Sequence, residues 1–194
     1  MRGHDVADAA LVETIALHQQ VREAGFESTT AAADAIVRSL TQGGTVLVFG
    51  NGGSAADAAH AAAEFVGRFR RDRPGYAAVA LTADPSVLTS IANDYGFDRI
   101  FARQIEALGR PGDVALAITT SGTSANVVAA LEAARARQLT TIALTGRDGG
   151  AAGRLADIHV NVASDATPRV QEVHRTLLHV ICDLVETELT ETSR

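Results

Sequence analysis

Behind the glycine-rich turn Gly50-Asn51-Gly52-Gly53-Ser54 runs an alanine-rich stretch in which two reactive side chains, His60 and Glu64, stand four residues apart. On a helix that spacing sets an imidazole and a carboxylate on one face, about 6 Å apart along the axis. Such a pair can bind a metal or move protons, and it can equally be an exposed ion pair. Its place behind a glycine loop that ends the apolar run 45–49 favours chemistry. A second loop, Thr119-Thr120-Ser121-Gly122-Thr123-Ser124-Ala125-Asn126, follows the apolar run 114–118, and five of its first six residues carry a hydroxyl. Hydroxyls and the free N–H groups of a helix start satisfy the three acceptor oxygens of a phosphomonoester without lysine. Ser/Thr turns also serve as plain caps. At the carboxyl end of a parallel strand, where ligands of open α/β sheets bind, phosphate is the stronger reading.

These loops need elements to hold them. Residues 5–41 carry helical spacing, broken near Gly25 and stopped at Gly43-Gly44, which predicts two helices ahead of the first strand. Apolar runs then recur at 45–49, 77–81, 114–118, 141–144 and 158–162, separated by helical composition. Strand and crossover in alternation predict a parallel sheet covered on both faces. The last helix is expected from Thr167-Pro168, with Thr167 as N-cap, to about residue 190. The chain reads as one domain over 1–194, with helices in 1–42 and the α/β core and C-terminal helix in 43–194. On the first helix Leu11, Ile15, Leu17 and Val21 form a partly apolar stripe, suited to an oligomer-forming arm or to packing on the chain's own sheet.

The 194 residues are 46% hydrophobic, 21% charged and only 4% aromatic, with no tryptophan. That fits a soluble globular protein with few stacking platforms. A net charge of -6 and a pI near 5.5 give no basic footprint for nucleic acid or an anionic membrane. Cys182 stands alone in an apolar helical pattern and is expected in the core. No targeting pattern or long apolar run is seen, so the expected location is cytoplasmic. Gly50, Gly52 and Ala55 match G-x-G-x-x-A, but the acidic residue that would meet a ribose about 20 residues on is replaced by Arg68-Phe69-Arg70-Arg71, so no nucleotide cofactor is expected.

Taken in order, Gly50-Asn51-Gly52-Gly53-Ser54-Ala55-Ala56-Asp57-Ala58, His60, Glu64, Gly67-Arg68-Phe69, Ala80-Leu81-Thr82-Ala83-Asp84, Ile91-Ala92-Asn93-Asp94-Tyr95-Gly96-Phe97, Thr120-Ser121-Gly122, Ser124-Ala125-Asn126-Val127 and Gln171-Glu172-Val173-His174 resemble the phosphoheptose isomerases of the sugar isomerase (SIS) domain family. The resemblance implies a single SIS domain of the α/β class: a flavodoxin-like five-stranded parallel sheet flanked by helices on both faces, with an N-terminal helical arm. It implies a homotetramer that interconverts sedoheptulose 7-phosphate and D-glycero-D-manno-heptose 7-phosphate in ADP/GDP-heptose precursor synthesis, with a Zn²⁺ at each active site. By matching positions, His60, Glu64, Gln171 and His179 resemble the metal-binding set. Asn51, Gly52, Gly53, Ser54, Glu64, Asn93, Asp94, Thr119, Thr120, Ser121, Ser124 and Gln171 resemble the substrate contacts, and Glu64 and His179 the acid/base pair. Three positions depart from the family's pattern. Thr119 stands where serine is usual, Thr123 where asparagine is frequent, and Ala59 where glutamine commonly precedes the histidine.

The chemistry agrees with the resemblance. Moving a carbonyl between C1 and C2 takes a proton off carbon, passes through an enediol and returns the proton next door. A carboxylate serves as the carbon base and an imidazole shuttles oxygen protons; the residues alone allow these roles to be exchanged. Gln171 and His179 are eight residues apart, about 12 Å of rise and about 80° of rotation on one helix, so the pocket is expected to be completed across a subunit contact. His174 is expected to pack, and His4, His18 and His159 to have surface or core roles. Rival readings are a non-catalytic SIS-domain protein that binds a partner such as the replication initiator, a ligand-sensing transcription module, and an isomerase of another sugar phosphate. The first lacks the reactive groups at the Glu64 and His179 positions. The second needs a helix-turn-helix domain for which the N-terminal segment is too short. The third stays open because fold does not fix substrate.

Overall fold

Three strands carry runs that are buried at almost every position: β1 (Val46–Gly50), β3 (Val114–Thr119) and β4 (Thr140–Gly146). Such runs belong inside a parallel sheet. In a computed structural model that describes residues 3–192, they form its centre, with β2 (Ala78–Ala80) and β5 (Ile158–Val162) at the edges. The order is β2-β1-β3-β4-β5 and every pairing is parallel. β2 is shorter than the run 77–81, pairing with β1 in three register positions.

Successive strand residues face opposite sides, and the two sides make two cores. Val46, Val48, Leu116, Ile118 and Leu144 pack under α2 (Glu27–Thr41), α3 (Gly53–Val66) and α8 (Thr167–Thr192), with Leu17 of α1 (Gly3–Ala24) joining them. Leu47, Phe49, Ala115, Ala117 and Ala143 pack under α4 (Pro85–Tyr95), α5 (Ala102–Leu108), α6 (Ala125–Ala136) and α7 (Gly150–Leu155). Cys182 lies in the first core, where burial pushes its thiol up to about 12, so it is an inert packing residue. No helix among the described residues is long and apolar enough to cross a membrane.

Thr167 is the first helical residue of α8 and not its N-cap. The turn before it is closed instead by Ser164, whose Oγ accepts from the Ala166 N–H at 3.2 Å, while the Ala166 carbonyl receives the Val170 N–H. Parallel register brings Gly50 beside Ile118 and Thr119 beside Thr145. The glycine loop and the hydroxyl loop thus leave the same edge of the sheet on adjacent strands.

Candidate active site

Helix α3 leaves that edge behind β1, and α8 leaves it behind β5, so the two run side by side in the same direction on one face of the sheet. Their contacts step down together. Gly53 packs so closely on the Gln171 amide that an added Cβ would lie 2.6 Å from Nε2. Asp57 Oδ1 accepts from Arg175 Nε at 3.0 Å and from Nη2. His60 Nε2 lies 2.8 Å from His179 Nε2. Glu64 Oε1 is 3.5 Å from His60 Nε2. Gln171, Arg175 and His179 are spaced four apart, one stripe of α8 facing one stripe of α3.

Three of the four residues matched to a metal set therefore meet within one chain: His60, Glu64 and His179. Gln171 does not join them. Helices with equal rise keep it two turns away, beside Gly53. Two imidazoles and a carboxylate are the donor set zinc takes, and the chemistry of these three residues fits that ion. As they stand, the two Nε2 atoms share a hydrogen bond, and tetrahedral zinc would hold them at roughly 3.3 Å. Among the described residues no three His, Cys, Asp or Glu side chains are already arranged around an ion position.

His179 is held below the usual histidine range. Burial does most of this, His60 and Arg175 push the same way, and Glu64 opposes them. It is a neutral imidazole near pH 7, able to take a proton and return it. Its ring also rests against Phe69, with centroids 5.3 Å apart. Phe69 is fixed by Glu186, which is 1% exposed and accepts the N–H groups of Phe69, Arg70 and Arg71 at 3.1, 2.9 and 2.8 Å, and Arg73 Nε at 3.1 Å. Burial alone would raise the Glu186 carboxyl; these donors overcome it and hold the group low.

The two loops are tied by their amides: Asn51 Nδ2 donates to Asn126 Oδ1 at 2.8 Å and Asn126 Nδ2 to Asn51 Oδ1 at 2.9 Å. Thr119 Oγ1 accepts from the Gly122 N–H, and Ser121 Oγ from the Thr123 N–H, each at 3.2 Å. These bonds curl the loop. Among the described residues the Thr120 and Ser124 hydroxyls have no hydrogen-bond partner, and α6 starts beside them without a side-chain cap. Two free hydroxyls and an open helix N-terminus suit an anion. Gly52 caps α3 at φ +57°, Gly53 begins it, and Ser54 is buried in its first turn. Asn93 and Asp94 stay apart: they lie exposed at the end of α4, on the opposite face, with Asn93 Nδ2 bonded to Asp94 Oδ1 at 2.8 Å.

His174 packs as expected, fully buried, its Nε2–H donating to the Thr145 carbonyl at 3.0 Å. Sequence reasoning missed Arg175, Asp57 and Glu186 as working residues. The i, i+4, i+8 stripe through Gln171 and His179 pointed to the first; a lone glutamate late in a helix gave no signal for the last.

A family model described as SIS domain matches residues 11–146. The phosphoheptose isomerase of Methylibium petroleiphilum is 53% identical over 176 residues, 89% of this chain and 88% of that protein. That of Roseiflexus sp. is 54% identical over 161 residues, 83% and 82% of the two chains. Among solved structures, the phosphoheptose isomerase of Neisseria gonorrhoeae superposes with a TM-score of 0.90 at 45% identity, covering 95% of this chain and 98% of that one. The enzyme of Francisella tularensis gives 0.93 at 37% identity, covering 96% and 100%. With reactive groups on α3 and α8 beside a hydroxyl loop, and with these relatives across nearly its whole length, the chain belongs to the phosphoheptose isomerases of the SIS domain family and is an isomerase.

Proposed function

We propose that this enzyme interconverts sedoheptulose 7-phosphate and D-glycero-D-manno-heptose 7-phosphate through an enediol, in the cytoplasm, as a step toward ADP/GDP-heptose precursors. The observation that carries this reading is the meeting of His60, Glu64 and His179 on helices that leave the same edge of the sheet as the loop of free hydroxyls. Thr120, Ser124 and the N-terminus of α6 take the phosphate, with Thr119 and Ser121 shaping the cradle and Asn51, Gly52, Gly53 and Ser54 lining its other side. Glu64 removes the proton from carbon and returns it to the neighbouring carbon. His179, neutral at working pH, moves protons between the two oxygens. His60, Glu64 and His179 would hold a zinc ion, which when bound would polarise the carbonyl and support the oxyanion.

Gln171, beside Gly53, lines the upper end of the cleft in its own chain, and Asn93 and Asp94, which one chain leaves on the opposite face, complete the pocket across a subunit contact in a homotetramer. The test is direct. Purified enzyme with sedoheptulose 7-phosphate, with and without a chelator, should form the aldose. Glu64→Gln should cut turnover by two to four orders of magnitude while sugar phosphate binding stays measurable. Full activity in that variant removes Glu64 from the carbon step, and turnover of a different ketose phosphate alone reassigns the substrate.

A further inference from the structure

Between the reactive cluster and the glycine loop, the cleft holds a cation that no step above uses. Arg175 spends its Nε–H and one Nη2–H on Asp57 Oδ1 and makes no other hydrogen bond among the described residues, which leaves three N–H donors. Its side chain is 51% exposed, whereas Asp57 is only 4% exposed. A buried carboxylate thus aims a half-open guanidinium. The group overlooks a cavity of about 350 Å³ lined by Gly53, Ala56, Asp57, Gln171, Glu172 and Arg175. Among the described residues, Asp57 Oδ2 and both ends of the Gln171 amide have no hydrogen-bond partner. The wall therefore offers donors and acceptors together.

That mixture selects its ligand. A phosphate accepts only, and it would meet Asp57 and Glu172 on the same wall. A sugar hydroxyl both accepts from guanidinium and donates to carboxylate. Position supports the same reading. From Gln171 to His179 the helix rises about 12 Å. At about 1.2 Å per bond, as in an extended backbone, the eight bonds from phosphorus to C1 of a seven-carbon sugar 7-phosphate span roughly 10 Å. A sugar chain lying along α8 from the Gln171 end towards His179 passes Arg175, which stands midway between them and faces Asp57 as they face Gly53 and His60.

We propose that Arg175, oriented by Asp57, is a substrate-binding residue that takes the mid-chain hydroxyls of a long sugar phosphate and so selects chain length. This rests on the isomerase reading above. The test measures binding of sedoheptulose 7-phosphate and of inorganic phosphate by calorimetry to the wild type, Arg175→Met and Arg175→Lys, with thermal midpoints alongside. Methionine leaves Asp57 buried and unpaired; lysine keeps a charge on Asp57 but loses the fork. The expected result is a loss of about tenfold or more in heptulose phosphate affinity for both variants, with inorganic phosphate affinity unchanged and the lysine variant close to wild-type stability. Unchanged heptulose phosphate affinity in Arg175→Lys overturns the proposal, as does a parallel loss for both ligands. Wild type that binds the heptulose phosphate but does not isomerise it would sink the reaction reading alone, because the binding ratios still decide the role of Arg175.

Discussion

At the residue scale, His174 shows how a side chain with no part in the chemistry fixes parts that have one. Its Nε2–H holds the carbonyl of Thr145, the register partner of Thr119, and it sits on α8 between Gln171 and His179. Burial lowers its affinity for a proton, against smaller opposing effects of the Thr145 bond and Asp57, and its Nδ1 is buried without a partner. The sign follows from linkage. A histidine whose folded value lies below the unfolded one adds stability above the unfolded value, and that stability is lost as pH falls through the folded value. His159 is shifted the same way by burial. The thermal midpoint should therefore fall between about pH 7 and pH 5, and His174→Gln, which cannot titrate there, should flatten the fall without abolishing it. An identical slope in the variant would show that His174 carries none of the effect. His174 itself was visible in the sequence; the carbonyl that it meets was not, because no local pattern tells which strand end lies over a helix.

At the element scale, the periodic signals were the legible ones. Five apolar runs, two leading helices and a long closing helix all emerged within a residue or two, because burial on both faces of a parallel sheet removes polar interruptions. The relation between elements was less legible. That α3 and α8 run parallel and in step explains why His60 meets His179 while Gln171 meets Gly53, and spacing along α8 alone showed only that Gln171 and His179 diverge. Loop packing was hidden too. Gly122, at φ +68°, lies against the 149–150 turn so closely that a Cβ would sit 2.1 Å from the Gly149 oxygen, and its own carbonyl accepts the Ala152 N–H at 2.9 Å. The hydroxyl loop is thus moulded by the turn behind β4. Gly122→Ala combines a left-handed strain of about 1–2 kcal/mol with a backbone clash that must displace one loop. The expected outcome is a lower denaturant midpoint and weaker binding of inorganic phosphate, read by calorimetry. Wild-type phosphate affinity in that variant would place the anion site elsewhere.

At the scale of the whole molecule, the stripe on α1 divides. Leu17 is 6% exposed and Val21 packs against the core, so these two anchor the helix on its own chain. Leu11, Val12 and Ile15, about half a turn to two turns nearer the N-terminus than Leu17, are 64%, 58% and 57% exposed. Three large apolar side chains held out on an anchored helix suit burial against another subunit. The proposed homotetramer and the shared pocket then make one joint prediction. If α1 forms the contact, Leu11→Glu with Ile15→Glu places charges in it, and sedimentation velocity should show the tetramer falling to smaller species. Anchoring through Leu17 and Val21 survives, so the thermal midpoint of the separated chains should stay within a few degrees of a fold that keeps both cores. Isomerisation should nevertheless fall by at least about a hundredfold, since each chain alone leaves Asn93 and Asp94 away from His60, Glu64 and His179. A dissociated variant that kept full turnover would prove one chain's site sufficient. A variant that stayed tetrameric would instead move the contact off α1.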